Sequence, residues 1–270
     1  MEYRSAPIRG NTKADWKQVS PVLYKLLDYC EVLVLCEQEL DSALCAVVSD
    51  YNGRPDVIAD FDLQSLCRKE NRCCFKMVLI WNKIRVQLQE ESLRTRFQIV
   101  SAVDNNNYRV GQRVILELDG LPIEMCLIHW AQHSAHRGED MKTAAARCLY
   151  AEFLCKEPKF KLIAGDFNTE PYSKALAELN VSRSAQYAIQ YKSLWNPFWA
   201  LLSEEGTLNS PNDKELKCLF PLFDQILVSS NFLDRFDIQP RIIKEYKPPK
   251  GEHYPIVLHF IRKDADHECQ

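Results

Sequence analysis

About ten short apolar runs punctuate the chain, and so many strand candidates can be buried together only in stacked sheets. "EVLVLC", "ALCAVVSDY", "FKMVLIW", "IRVQLQ", "RFQIVSAV", "RVILELDG", "IEMCLIHW", "KLIAG", "QILVSS", "FDIQPRII" and "PIVLHFI" each read as a strand. Helical patterns are fewer. Residues 15 to 30 carry Trp16, Val19, Leu23, Leu26, Leu27 and Cys30 at helical spacing, and Ser20 and Pro21 as N-cap and first-turn residue place the expected start of that helix. A second helix is expected from Glu139 to about Cys155, with acids at its start and Met141, Ala145, Cys148 and Leu149 on one stripe. Shorter helices are expected after Pro171 and Asn196. Many strands, few helices and no repeat fit two packed sheets with helices on their outer faces, a four-layer α/β/β/α sandwich, better than a simple doubly wound sheet.

With 270 residues and no Ser/Gly-rich linker, charge block or low-complexity tract, the chain reads as one domain spanning residues 1 to 270. Its 46% hydrophobic and 26% charged residues are those of an ordinary globule rather than a disordered segment. The longest apolar stretches are far too short for a bilayer span, and "MEYRSAPIRGN" has no signal-peptide core, so a cytoplasmic protein without a membrane partner is expected. Eleven cysteines is an odd number, and Cys36, Cys126, Cys148 and Cys155 lie in apolar segments, which reads as reduced core residues. The pair "CC" at 73 and 74 has no C-x-x-C partner, which argues against zinc. A net charge of −3 argues against a generally sticky nucleic-acid-binding surface, though a local basic patch can still steer a phosphate ligand.

"KLIAGDFNTEP" ends a buried strand on Asp166 and Asn168, two residues apart and therefore on one face of an extended chain. By itself "GDFN" reads equally well as a turn, because Gly, Asp and Asn are turn residues. Four other places share its design. "VLVLCEQEL" ends a strand on Glu37, "CLIHW" ends one on His129, "LFDQILVSS" begins one at Asp224, and "KGEHYPIVLHF" leads into the last through Glu252 and His253.

In this combination, and in order from Glu37 to His253, the chain resembles the endonuclease/exonuclease/phosphatase family of deoxyribonuclease I-like metal-dependent phosphoesterases. The resemblance implies a sandwich of two mixed β-sheets with outer helices, and a hydrolase using Mg²⁺ or Mn²⁺ held by Glu37 and Glu252. It implies that Asp166 orients or deprotonates the attacking water, Asn168 holds substrate and water in line, and His253 stabilises the phosphate's developing charge. Asp224 would orient His253, and His129 would assist the leaving oxygen. The implied activity is that of a nuclease cleaving phosphodiester bonds in DNA or RNA. A phosphatase of a small or lipid phosphate is the alternative on the same fold. A binding or regulatory module that has lost turnover is the alternative of another class.

Two departures from the family pattern stand out. Glu252 occupies a place where members usually have Asp, and no strand ending in the family's Trp-Asn pair is found before Ala14, while "IWN" at 80 to 82 belongs to a later strand. Other candidates carry less. Glu39 rivals Glu37, the run His129, His133, His136 leaves a strand for a loop and so lacks a helical face, and "SLWNPFWALL" reads as core packing rather than a base-stacking platform. Lys244, Lys247 and Lys250 lie in the Pro-stiffened lead-in to His253, where they are either a solvated loop or contacts for a substrate's phosphates.

Overall fold

The computed structural model describes residues 3–4, 16–66, 76–100, 107–130, 137–156, 160–202, 206–207, 222–245 and 253–263. Strands buried on both sides build it. In one sheet, β1 (Tyr3–Arg4), β2 (Val32–Cys36), β3 (Phe61–Ser65) and β4 (Met77–Asn82) lie in the order β1-β2-β4-β3. Side chains alternate along a strand, so β2 sends Val34 and Cys36 into the core between the sheets and Leu33 and Leu35 outward under the helices. Strand β4 does the same with Leu79 and Trp81 against Val78 and Ile80.

The larger sheet holds β5 (Val86–Leu88), β6 (Arg96–Val100), β7 (Asn107–Leu118), β8 (Leu121–His129), β9 (Phe160–Asp166), β10 (Val181–Ser182), β11 (Leu194–Trp195) and β12 (Asp224–Ser229). Its order is β10-β11-β12-β9-β8-β7-β5, with β6 also on β7. Only β8–β9 and β10–β11 run parallel in it, so the sheet is mixed. The antiparallel pair β13 (Phe236–Ile242) and β14 (Ile256–Arg262) adds Ile256 and Leu258 to the inter-sheet core and Val257 to the outer cluster beneath the helices of the first sheet.

Helices α1 (Trp16–Tyr29) and α2 (Ser42–Asn52) cover the first sheet through Leu23, Leu26, Leu27, Leu44, Val47 and Val48. Helices α3 (Arg137–Leu149) and α4 (Lys174–Glu178) cover the second, where Ala145, Ala146, Leu149 and Leu176 meet Cys126, Ile128, Ile163 and Leu227. The layers are α/β/β/α. No helix among the described residues is long and apolar enough to cross a membrane.

Several expectations change. "ALCAVVSDY" is helix α2, not a strand: Asp41 caps it by accepting from Leu44 N at 2.8 Å, and Leu44, Val47, Val48 and Tyr51 fall at the i, i+3, i+4, i+7 spacing of one buried face. Helix α1 starts at Trp16 and runs through Pro21, because burying Trp16 (2% exposed) offsets the bond the proline cannot donate. Strands β1 and β3 and helix α5 (Ala185–Tyr191) had no counterpart in the sequence reading. Cys36 and Cys126 are core residues as expected, but Cys148 is half-buried and Cys155 exposed.

Candidate active site

Three neighbouring strands of the large sheet bring polar residues to one edge. His129 ends β8 opposite Asp166, which ends the parallel β9, and Asp224 begins the antiparallel β12 opposite Asp166 on its other side. Gly165 makes the approach possible. Its φ of +142° is open only to glycine, and a Cβ there would lie 1.9 Å from the Ile128 carbonyl oxygen. Asp224 is seated by its backbone N–H, which donates to Thr207 Oγ1 at 3.2 Å, and its Oδ2 holds His253 Nδ1 in a short buried hydrogen bond.

Glu37 reaches the same place from the other sheet. It follows β2 with a left-handed φ of 60°, and its Oε1 lies 3.2 Å from His129 Nε2, which is 3.7 Å from Asp166 Oδ2. The side chains of Glu37, His129 and Asp166 are 39%, 21% and 0% exposed, so the line runs from solvent to a fully covered carboxylate. Glu39 points elsewhere, pairing with Lys76 at 2.8 Å, and Asn82 closes the far end of β4, bonded to Glu31 at 2.9 Å.

"GDFN" is both a turn and part of this cluster. Asn168 adopts a left-handed φ of 47°, with its backbone N–H donating to Asp166 Oδ1 at 2.7 Å and its Nδ2 donating to Asp166 Oδ2 at 2.6 Å and to the Trp130 carbonyl at 2.7 Å. A non-glycine residue in that region costs about 1–2 kcal/mol, and the bonds to Asp166 offset it. Both carboxylate oxygens are held as acceptors, the arrangement an anion needs in a buried place.

Sequence reasoning missed three polar residues around this turn, Lys142 and Gln225 buried and Glu170 partly buried. Lys142 on α3, 2% exposed, donates its Nζ to the Asn168 carbonyl; burial pushes its ammonium below the ordinary lysine range, against the opposing pull of Glu139 and Asp166. Gln225 donates Nε2 to the carbonyls of Thr169 at 3.0 Å and Leu222 at 2.9 Å. Glu170 accepts from Leu222 N at 3.2 Å, and burial raises its carboxyl above the usual range. The signal for Lys142 was its place at helical spacing with Ala145, Ala146 and Leu149, all buried. Gln225 and Glu170 gave no pattern of their own.

Other candidates fall out of the cluster. Lys244 donates to the Gly206 carbonyl at 2.7 Å and lies 3.8 Å over the Tyr254 ring, which ties down the chain beside His253. Leu194 and Phe198 of the aromatic segment pack in the cores, as expected for structural residues. Glu252, Lys247, Lys250, His133 and His136 lie outside the described residues.

The donors fit a hard divalent cation. Ligand atoms of Asp166, Asp224 and His253, all buried, lie within 4.8 Å of one another, and Glu37 adds a carboxylate at the rim. Two carboxylates with an imidazole and no thiolate are a set that could hold a divalent metal ion.

No protein-family model matches the chain, and no curated protein matches it. Solved structures do. An endonuclease/exonuclease/phosphatase family protein from Bacteroides thetaiotaomicron is 12% identical, with 94% of this chain and 90% of that chain covered and a TM-score of 0.59. The human Nocturnin catalytic domain with bound sulfate is 14% identical over 94% of this chain and 89% of that chain, at a TM-score of 0.58. D. rerio TDP2 complexed with a single-strand DNA product is 14% identical over 94% of each chain, at 0.54. At such identities the likeness defines the fold, and this chain has the fold of the endonuclease/exonuclease/phosphatase family.

Proposed function

We propose that the protein is a divalent-metal-dependent phosphoester hydrolase, and within that class a nuclease that cleaves phosphodiester bonds in DNA or RNA. The observation that carries the reading is the meeting of Glu37, His129, Asp166, Asp224 and His253 from both sheets at one edge. A phosphodiester is an anion whose hydrolysis needs a base, a donor to the charged oxygens and screening of charge, and these five side chains supply the first two. Asp166 has the base role, held in place by Asn168. Asp224 fixes the His253 ring through Nδ1, which makes Nε2 the atom presented to a phosphate oxygen. His129, between Glu37 and Asp166, is the group placed to move a proton between solvent and the covered carboxylate. Mg²⁺ or Mn²⁺, when bound, would screen the phosphate's charge, with Glu37 as a ligand and, by the family pattern, Glu252.

The sulfate on the human domain and the DNA product on the D. rerio protein support an anionic, nucleic-acid substrate by analogy of fold. The test compares bis(p-nitrophenyl) phosphate with p-nitrophenyl phosphate, with Mg²⁺, with Mn²⁺ and after chelation. Metal-dependent diester hydrolysis that is lost in Asp166→Asn is the expected result. Preference for the monoester moves the reading to a phosphatase, and no hydrolysis of either moves it to a binding module.

A further inference from the structure

The turn that carries Asn168 is held by side chains that the reaction scheme above does not use. Residues 167–170 have no regular secondary structure, so their buried carbonyls must find partners elsewhere. Two find them in buried side chains from different elements. From α3, Lys142 Nζ donates to the Asn168 carbonyl. From β12, Gln225 (0% exposed) donates to the Thr169 carbonyl at 3.0 Å, while its Oε1 accepts from Asn196 Nδ2 at 2.7 Å. Asn196, equally buried, closes the chain by accepting from Phe198 N at 3.1 Å.

Burying an ammonium against a backbone carbonyl is a costly solution where a neutral donor would serve. Two features explain its use here. The carbonyl belongs to a residue in the left-handed region, which relaxes unless the surrounding structure over-determines it. The same ammonium also feels the charge of Asp166, the carboxylate that Asn168 grips. We propose that Lys142 and Gln225 are positioning residues that clamp the carbonyls of Asn168 and Thr169, so that the Asn168 amide stays locked on Asp166 in its reactive orientation. The proposal rests on the phosphodiesterase reading for its kinetic arm and on geometry alone for its exchange arm.

The experiment measures kcat and KM on bis(p-nitrophenyl) phosphate, and amide hydrogen exchange across residues 166–172, for the parent, Lys142→Met, Lys142→Arg, Gln225→Met and Arg147→Gln. All are assayed well below their melting temperatures. Arg147 is the control, an exposed α3 residue paired with Glu178 at 2.8 Å. Losing a charge-assisted bond to the turn is expected to lower kcat of Lys142→Met by about 10- to 100-fold with KM within about twofold. Lys142→Arg restores kcat to within about threefold, Arg147→Gln leaves it unchanged, and exchange across 166–172 rises in Lys142→Met and Gln225→Met. Parent-like kcat in Lys142→Met, an equal loss in Lys142→Arg, or unchanged exchange overturns the clamp. A parent without turnover refutes the phosphodiesterase reading instead, and exchange then decides the clamp alone. If Gln225→Met does not fold, the two Lys142 variants decide.

Discussion

Gly165→Ala tests the geometry on which the site depends. The added Cβ would lie 1.9 Å from Ile128 O and 2.9 Å from Ile128 C, whereas real Cβ atoms stay beyond 3.0 Å, so the strands must part by about 1.1 Å. The obstacle is backbone in the middle of the sheet, with β7 on one side and β12 on the other, and it has no room to retreat. Parting β8 from β9 costs at least one buried ladder bond, about 1–3 kcal/mol, and forcing alanine to a φ open only to glycine adds about 1–3 kcal/mol. The expected destabilisation is therefore about 2–6 kcal/mol, a large share of the 5–15 kcal/mol typical of a domain. Gly120→Ala is the internal control. Gly120 has φ +76° with nothing within 4 Å of a Cβ, so it should lose only the backbone term, about 1 kcal/mol. Urea unfolding followed by tryptophan fluorescence gives both values. If Gly165→Ala falls within about 1 kcal/mol of Gly120→Ala, the close approach of β8 and β9 is wrong, and with it the placing of His129 beside Asp166.

Other perturbations reach the chemistry. Asp224→Ala and His253→Ala should each lower kcat by on the order of 10²-fold or more, and a double-mutant cycle should show a coupling of about 2–3 kcal/mol, since without the ring Asp224 has nothing to orient; additive losses would make Asp224 a strand-start acid only. Glu37→Gln should raise the Mg²⁺ needed for half-maximal rate by about tenfold or more, with partial recovery in Mn²⁺, and an unmoved metal titration would remove Glu37 from the metal site. Glu170→Gln has a defined pH signature. Burial raises the folded-state pKa of Glu170, so its contribution is intact below the unfolded carboxylate value and is lost as pH rises through the raised one. The variant should match the parent near pH 4 and exceed it by about 0.5 kcal/mol at pH 8, a small figure because solvent screens a half-exposed group. A variant less stable than the parent at pH 8 would show that the charge supports the fold.

The strand ends that carry His129, Asp166 and Asp224 were legible from the chain because alternation and turn residues are local. "KLIAGDFN" reads as a buried strand running into turn residues, whereas the close approach at Gly165 and the left-handed turn that folds the Asn168 amide back onto Asp166 are visible only in the structure. The same local logic failed at "ALCAVVSDY", where β-branched residues pointed to a strand while the i, i+3, i+4, i+7 pattern and the Asp41 cap, which need a partner surface to count, settled a helix. It also placed the start of α1 at Pro21, since the worth of burying Trp16 exists only once α1 lies on the first sheet. Distances between sheets belong to tertiary structure alone. That Glu37 rather than Glu39 faces His129, that Lys244 is tied to Gly206, and that Lys142 and Gln225 grip the turn all depend on contacts between residues 20 to 90 or more positions apart. Sequence determines which groups a strand end can offer, and packing decides which of them meet, because burial makes each polar side chain find a partner wherever the fold brings one.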